Sequence, residues 1–403
     1  MPKLIDKDKC CGCASCANKC AKGAITMRPN NEGFMHPVID TSLCVDCGLC
    51  EKACPGLEPV KVADNSPQAY IVQHKDDVVR YQSTSGGAFT AISQEVIRRG
   101  GIVFGAIMTD DLKVKHDCVS TIAELAKFRN SKYVQSEIGD CYKRAKELLT
   151  DGHMVCFSGT PCQINGLYKF LGNDFENLIA VDVTCKSVPS PLVFEKYKEF
   201  KEKKTKKAES IVFRDKKRGF SYCTMAHYES KDAKATGNSF YRRSSESDEW
   251  LRIFLSGMIS RNSCATCPYQ TASRVGDFTL WDCWETTEIA PEWNDNKGTT
   301  NVVVWTEKAK RFFETVKDNI RYCEYPFEKA GNGVERENKV NPYVRRSQLF
   351  EDVNNLSAEA FFGKYTPYTT KVIIKQAGRY LMWRLHLHNL VRHVKHLIIH
   401  RKK

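Results

Sequence analysis

Cys10-Cys11-Gly12-Cys13-Ala14-Ser15-Cys16-Ala17-Asn18-Lys19-Cys20 returns 34 residues later as Cys44-Val45-Asp46-Cys47-Gly48-Leu49-Cys50-Glu51-Lys52-Ala53-Cys54. Each half spells C-x2-C-x2-C-x3-C. Three closely spaced thiolates can cap one cubane cluster, while a short helical turn carries the fourth away. Internal repetition of this kind decides the architecture of a segment before any other signal is read.

Residues 1 to about 60 resemble the bacterial two-cluster ferredoxins, in which the fourth cysteine of each half serves the other cluster. The resemblance implies a first [4Fe-4S] cluster on Cys10, Cys13, Cys16 and Cys54, and a second on Cys44, Cys47, Cys50 and Cys20. Pro55 follows the last cysteine as in those proteins, whereas the first half has Ala21 there. Proline stiffens that turn and ligates nothing, so the departure is minor. A pair of zinc sites is the alternative, although zinc seldom uses this spacing twice at one offset. Cys11 has no ligand slot and reads as a packing thiol beside the clusters.

The rest of the composition agrees with a redox protein. Nineteen cysteines in 403 residues exceed what a globular core needs, and the opening MPKLIDKDKC has no apolar h-region, so no secretory signal is expected. A cytoplasmic, reducing setting follows, in which thiolates serve metals. No run approaches 18 apolar residues, so no transmembrane helix is expected. Ten of the thirteen net positive charges lie beyond Glu359. The body is near neutral and no nucleic-acid partner is expected. In the tail, Tyr380, Trp383, Leu387, Leu390, Val391, Val394, Leu397 and Ile398 fall at helical spacing, with Arg384, His388, Arg392 and Lys395 elsewhere on the wheel. Such a basic amphipathic helix can lie peripherally on the inner face of an anionic membrane, or pack on its own protein or a partner subunit.

After a polar break from Pro55 to Pro67, strand-like runs alternate with helix-like ones. Strands are expected at 70–73, 102–108, 155–157, 178–183 and 301–305, and helices at 88–99, 139–149, 192–203 and 308–319. Three motifs stand out. Ser83-Thr84-Ser85-Gly86-Gly87-Ala88-Phe89 is a small-residue loop opening a helix, equally suited to a plain cap or to an anion. Phe157-Ser158-Gly159-Thr160-Pro161-Cys162-Gln163 is a strand end where Pro161 starts a helix. Cys264-x2-Cys267-Pro268 precedes Gly276-Asp277-Phe278-Thr279-Leu280-Trp281-Asp282, and a lone C-x2-C suits zinc or iron equally.

Together with Ser131–Ser136 (SKYVQS), Phe157–Leu167 (FSGTPCQINGL) and Val183–Pro191 (VTCKSVPSP), these motifs make the segment from about 68 to 350 resemble the beta subunit family of coenzyme F420 hydrogenases and dehydrogenases. The resemblance implies FAD and a third [4Fe-4S] cluster on Cys162, Cys185, Cys264 and Cys267, with Cys156 and Cys283 as substitutes. It implies FAD phosphates at Ser83, Thr84, Ser85, Gly86 and Gly87, with Lys132 as counter-charge and Tyr133 and Gln135 beside it. Where the family has Cys-His-Gly, this chain has Cys185-Lys186-Ser187, which leaves the substrate in doubt. Cys118, Cys141, Cys223 and Cys323 read as small buried apolar residues.

The expected fold class is α+β (mixed α/β). It comprises a two-cluster ferredoxin-like domain over 1–60, a larger α/β flavin-binding domain over 68–360 and a basic amphipathic helix over 368–403. The function implied is an iron-sulfur flavoprotein oxidoreductase joining a two-electron carrier to one-electron clusters, with ferredoxin or another redox subunit as partner. Relatives of this kind use a deazaflavin coenzyme or occur among surface-polysaccharide genes. A non-catalytic electron adaptor and a zinc-and-thiol scaffold are the rivals.

Overall fold

The computed structural model describes residues 1–60, 62, 66–334, 343–385 and 387. The repeat at the N-terminus is visible in the backbone itself. Gly12 and Ala14 in one half, Asp46 and Gly48 in the other, all take positive φ at the same offset. Ala14 and Gly48 then open the short helices α1 (Ser15–Lys19) and α2 (Leu49–Lys52). Between the halves, β1 (Ile25–Pro29) and β2 (Met35–Ile39) pair antiparallel, Ile25 opposite Ile39.

The rest of the chain is built on an eight-stranded mixed sheet. Its strands are β3 (Gln68–His74), β4 (Ile102–Met108), β5 (Val114–Val119), β6 (Val155–Gly159), β7 (Leu178–Val183), β11 (Phe278–Asp282), β12 (Thr300–Val304) and β13 (Ile320–Tyr325), in the order β13-β3-β12-β11-β7-β6-β4-β5. The four central strands β11, β7, β6 and β4 are mutually parallel, with Val155 level with Leu178 and Val181 level with Phe278. The flanking strands run antiparallel. A smaller antiparallel sheet, in the order β10-β9-β8, comprises β8 (Ser210–Asp215), β9 (Thr224–Tyr228) and β10 (Tyr241–Ser244).

The central strands are apolar on both faces because helices cover both. Strand alternation sends Val103, Cys156, Ile179 and Val181 to one side and Phe104, Val155, Phe157, Leu178 and Ala180 to the other. The first side meets Ala91, Ile92 and Val96 of α4 (Ala88–Arg98, after α3, Asp77–Gln82) and Phe312, Phe313 and Val316 of the helix Glu307–Val316. The second meets Tyr142, Ala145 and Leu149 of α5 (Cys141–Thr150) and Ile164, Leu167 and Phe170 of α6 (Pro161–Leu171). Pro161 stands at the first turn of α6, where its missing N–H is harmless. Thr160 and Gln163 close a capping box around it.

The dicluster segment is pinned to this body. Phe34 is 1% exposed and packs in the core that Phe194 and Tyr197 of α7 (Pro191–Lys204) share with Trp250. Arg346 makes a bidentate bond to Glu32 beside it. The Lys19 ammonium donates to the Phe170 carbonyl at 2.7 Å, and Gln135 accepts from the Met35 N–H at 3.1 Å.

The helix Thr370–Arg384 lies against its own chain. Arg379 donates to the carbonyls of Ser221 and Tyr222, and Arg218 lies over the rings of Tyr380 and Trp383. Those two members of the expected membrane stripe therefore contact the protein. Leu390, Val391, Val394, Leu397, Ile398, His388, Arg392 and Lys395 lie outside the described residues. Among the described residues, no helix is long and apolar enough to cross a membrane.

Candidate functional site

A parallel sheet gathers ligands at the carboxyl ends of its strands, and two thiols stand there. β6 runs out at Gly159 and Cys162 lies in the first turn of α6; β7 runs out at Val183, two residues before Cys185. Cys264 and Cys267 reach the same place from a 3-10 turn over Asn262–Cys264, whose backbone is tied to the segment after β7. Arg261 N–H donates to the Val188 carbonyl at 2.9 Å, and Val188 N–H donates to the Cys264 sulfur at 3.4 Å. The Cys185 thiol senses Cys264, Cys162 and Cys267, and Cys267 senses Cys162. The four cysteines expected as one set are thus mutual neighbours.

Their environment suits bound thiolates only if a metal replaces the proton. Burial pushes the Cys264 thiol up to about 12 and Cys267 to about 11, and lifts Cys185 far above its ordinary value. Loading a metal group here releases those protons. The substitutes stay elsewhere. Cys156 is fully buried among the apolar residues of the sheet, and Cys283 belongs to the core around Trp293 and Trp305. Of the four thiols read as buried, Cys141 is 1% exposed, while Cys118, Cys223 and Cys323 are half-buried. Arg144 reaches the Cys118 sulfur at 2.7 Å, so that thiol is more than apolar filling.

In the dicluster segment, one cavity is lined by Cys10, Cys13 and Cys16 of the first half together with Cys54 of the second. Cys20 packs against a cluster of Cys16, Ile25 and Cys50, so it too stands between the halves. The left-handed residues between the cysteines, Gly12, Ala14, Asp46 and Gly48, have the backbone conformation from which nests for anions and Fe-S groups are built. The donor set and the cavity fit a cubane with one ligand crossed between halves. Among the described residues no three His, Cys, Asp or Glu side chains converge on a single-ion point; a cubane spreads its thiolates over four iron corners.

Cys11 joins the two regions. It lines the same cavity as Cys13, and its thiol is held well above its ordinary value with Cys13 and Cys162 both acting on it. Gly166, one turn along α6 from Cys162, is packed against Cys13.

The loop Ser83–Gly87 lies on the same sheet edge, but its groups are engaged internally. Ser83 Oγ donates to the Val79 carbonyl, and the Thr84 hydroxyl bonds Ser131. Ser85 Oγ bonds Asp282, and Gly86 N–H donates to Thr300 Oγ1. The glycines serve packing, since a Cβ at Gly86 would strike the Val72 carbonyl and one at Gly87, φ +88°, would meet His74. Two of the side chains expected beside the loop are engaged by the protein itself. All three protons of the Lys132 ammonium go to the carbonyls of Lys127, Phe128 and Arg129, at 3.0 to 3.1 Å, and Gln135 holds Met35 instead.

The cations at this edge are others. Arg214 is 7% exposed, pairs with Asp282 at 2.7 Å and donates to the Tyr133 hydroxyl at 3.2 Å. Its second terminal nitrogen is buried without an acceptor. Phe220 and Trp284 stack beneath its guanidinium. Lys216 donates to the carbonyls of Arg80, Ser85 and Lys297. A buried donor without a partner next to Ser85 and Tyr133 fits an anionic or carbonyl-bearing cofactor. Asp282 closes the motif Gly276–Asp282, so it could have been found from sequence. Arg214 and Lys216 sit in a stretch without any motif.

Two family models match the chain. Residues 152–329 match the family described as the C terminus of the coenzyme F420 hydrogenase/dehydrogenase beta subunit, and residues 9–56 match the 4Fe-4S dicluster domain. A coenzyme F420-dependent sulfite reductase of Methanocaldococcus jannaschii is 27% identical over 175 residues, 42% of this chain and 26% of that protein. The chain therefore spans about a quarter of that relative's length. A ferredoxin of the same organism is 31% identical over 52 residues, 13% of this chain and 66% of the ferredoxin. A chain of the F420-reducing [NiFe] hydrogenase complex from Methanosarcina barkeri is 14% identical, with a TM-score of 0.46 over 72% of this chain and 93% of that one.

Proposed function

We propose that this chain, whose residues 152–329 belong to the C-terminal family of the coenzyme F420 hydrogenase/dehydrogenase beta subunit and whose residues 9–56 are a 4Fe-4S dicluster domain, is an iron-sulfur flavoprotein oxidoreductase passing electrons between a two-electron carrier and a ferredoxin-like partner. One observation carries this reading. Four thiols from distant parts of the chain, Cys162, Cys185, Cys264 and Cys267, meet at the carboxyl edge of the sheet, and Cys11 links them to the dicluster cavity.

When bound, FAD exchanges a hydride for two single electrons, which cubane clusters carry one at a time. The chain's own task is to hold its ligands dry and close. Thr160 Oγ1, 3.1 Å from the Cys162 sulfur, and the Val188 N–H on Cys264 orient two of the third set. At the other end of the edge, the unpartnered nitrogen of Arg214 and the Tyr133 hydroxyl are the groups best placed to hold FAD, with Ser85 fixed by Asp282. Lys132 keeps the turn over 127–129 closed.

The two-electron partner is a reduced deazaflavin, or, if reduced ferredoxin drives the chain in reverse, a sugar-linked substrate of surface-polysaccharide metabolism. Anaerobic purification with iron and flavin content, followed by reduction with the deazaflavin, NAD(P)H and reduced ferredoxin, tests cofactors and direction together. The internally engaged loop Ser83–Gly87 favours a second reading, a non-catalytic electron adaptor. Flavin-free protein carrying all its iron would select it. The helix Thr370–Arg384, with Arg218 lying over the rings of Tyr380 and Trp383, favours packing on the protein over peripheral membrane contact.

A further inference from the structure

Arg261 sits where the dicluster segment meets the large domain, and it is 2% exposed. Its backbone carbonyl accepts from the Cys264 N–H at 3.0 Å. Its side chain crosses to the other segment, where Nε donates to the Cys10 carbonyl at 2.6 Å and Nη2 to the Met35 carbonyl at 3.0 Å. Nη2 also lies 3.0 Å from His36 Nε2, and the guanidinium lies over the Phe34 ring at 5.4 Å. Burial, then the charge of Arg261, push the His36 imidazole down to about 4, so it stays neutral and can accept that bond. Nη1 has no acceptor and faces Gly12, where a Cβ would stand 2.8 Å from it.

These partners are carbonyls, an imidazole and a ring face, and none is a carboxylate. A buried cation without an anion is strongly unfavourable. The missing negative charge is what clusters on four thiolates each would bring. The Nε bond of Arg261 to the Cys10 carbonyl ties the residue to the first set, and its own carbonyl, which accepts from the Cys264 N–H, ties it to the third. Among the described residues, none of its hydrogen bonds goes to a cysteine of the second set.

We infer that Arg261 is the counter-charge shared by the first and third clusters, a positioning residue that raises both reduction potentials while leaving the second alone. A fixed positive charge favours the reduced, more negative cluster over the oxidised one. The inference rests on the three-cluster reading proposed above.

The test is a reductive titration of the full-length, cluster-loaded protein followed by paramagnetic resonance, for the wild type, Arg261→Gln and Arg261→Lys. Wild-type protein with fewer than about twelve irons would remove the three-cluster reading itself. With three clusters loaded, Arg261→Gln should disfavour reduction of the first and third about tenfold each, ~59 mV for one electron. The second should stay within twofold, and Arg261→Lys should restore most of the shift. Loss of the first and third clusters in the glutamine variant with retention in the lysine variant also supports the charge. Unchanged potentials in the glutamine variant, an equal shift of all three clusters, or the same shift or iron loss in both variants would overturn it.

Discussion

Gly166 faces Cys13 so closely that a Cβ on the glycine would lie 2.9 Å from both the Cβ and the sulfur of the cysteine. The contact couples α6, which carries Cys162, to the loop that carries the first cluster. In mid-helix, Gly166→Ala gains about 1 kcal/mol of helix propensity. The clash costs about 1–3 kcal/mol, because the Tyr142 hydroxyl, 3.1 Å away, blocks retreat. The clash should win. We expect a lower melting temperature and loss of iron from the first cluster, with the second intact by paramagnetic resonance.

Cys54 lines the cavity of the first half's thiols, and Cys20 packs against Cys50 of the second half as well as Cys16 of its own. Replacing Cys54 by alanine should therefore damage the cluster built mainly by residues 10–16, and replacing Cys20 the one built by residues 44–50. Spectra of the reduced single variants separate this from local ligation, in which each replacement would spare the opposite half.

What the sequence disclosed, and what it hid, follows from range. The strands over 102–108 and 178–183 lie where apolar run and length place them, and Pro161 opens its helix as proline at a first turn must. Cysteine spacing is equally local. The pairing of Arg214 with Asp282, 68 residues apart, and the reach of Arg261 across about 250 residues to Cys10 leave no periodic trace. The three carbonyl partners of Lys132 are likewise set by the fold of the turn and leave no mark on a sequence where the lysine simply stands near a glycine loop. Cys11 looked surplus because its second partner, Cys162, lies in another domain of the sequence.

Asp282→Asn isolates the buried ion pair with Arg214. The two side chains are 17% and 7% exposed and lie 2.7 Å apart, so removing the charge strands the guanidinium at a cost of about 3 kcal/mol. Burial alone would raise the Asp282 carboxyl, but Arg214 and Ser85 outweigh it and hold it below the usual carboxylate range. Its contribution is thus present above the ordinary aspartate value near ~4 and lost as pH falls through the lower folded value. Denaturant titrations should show a gap between wild type and variant that is full at neutral pH and closes in acid. A gap independent of pH would argue that the pair carries no such linkage.

Deleting residues 378–403 removes Arg379, Tyr380 and Trp383 from their seats on Ser221, Tyr222 and Arg218. The deletion should lower thermal stability in the absence of any lipid. Flotation of the full-length protein with anionic vesicles, lost on deletion, would instead return weight to the membrane.

The third cluster is best tested in the whole chain, because cutting away residues 1–60 would strip Phe34 from the core of α7 and free Arg346 from Glu32. Cys264→Ala leaves that interface intact and removes one thiolate from the set at the sheet edge. The remaining three thiols are half-buried, and the neighbouring Cys11 at Cys162 and desolvation at all three hold each above its ordinary value. An incomplete cluster therefore gives way to protonation. The variant should lose about four of about twelve irons and keep both N-terminal signals. Electron passage from reduced flavin to ferredoxin should slow by orders of magnitude, since the link between Cys162 and Cys11 then connects to no cluster. Full iron content in the variant, or zinc in place of iron in the wild type, would defeat the assignment.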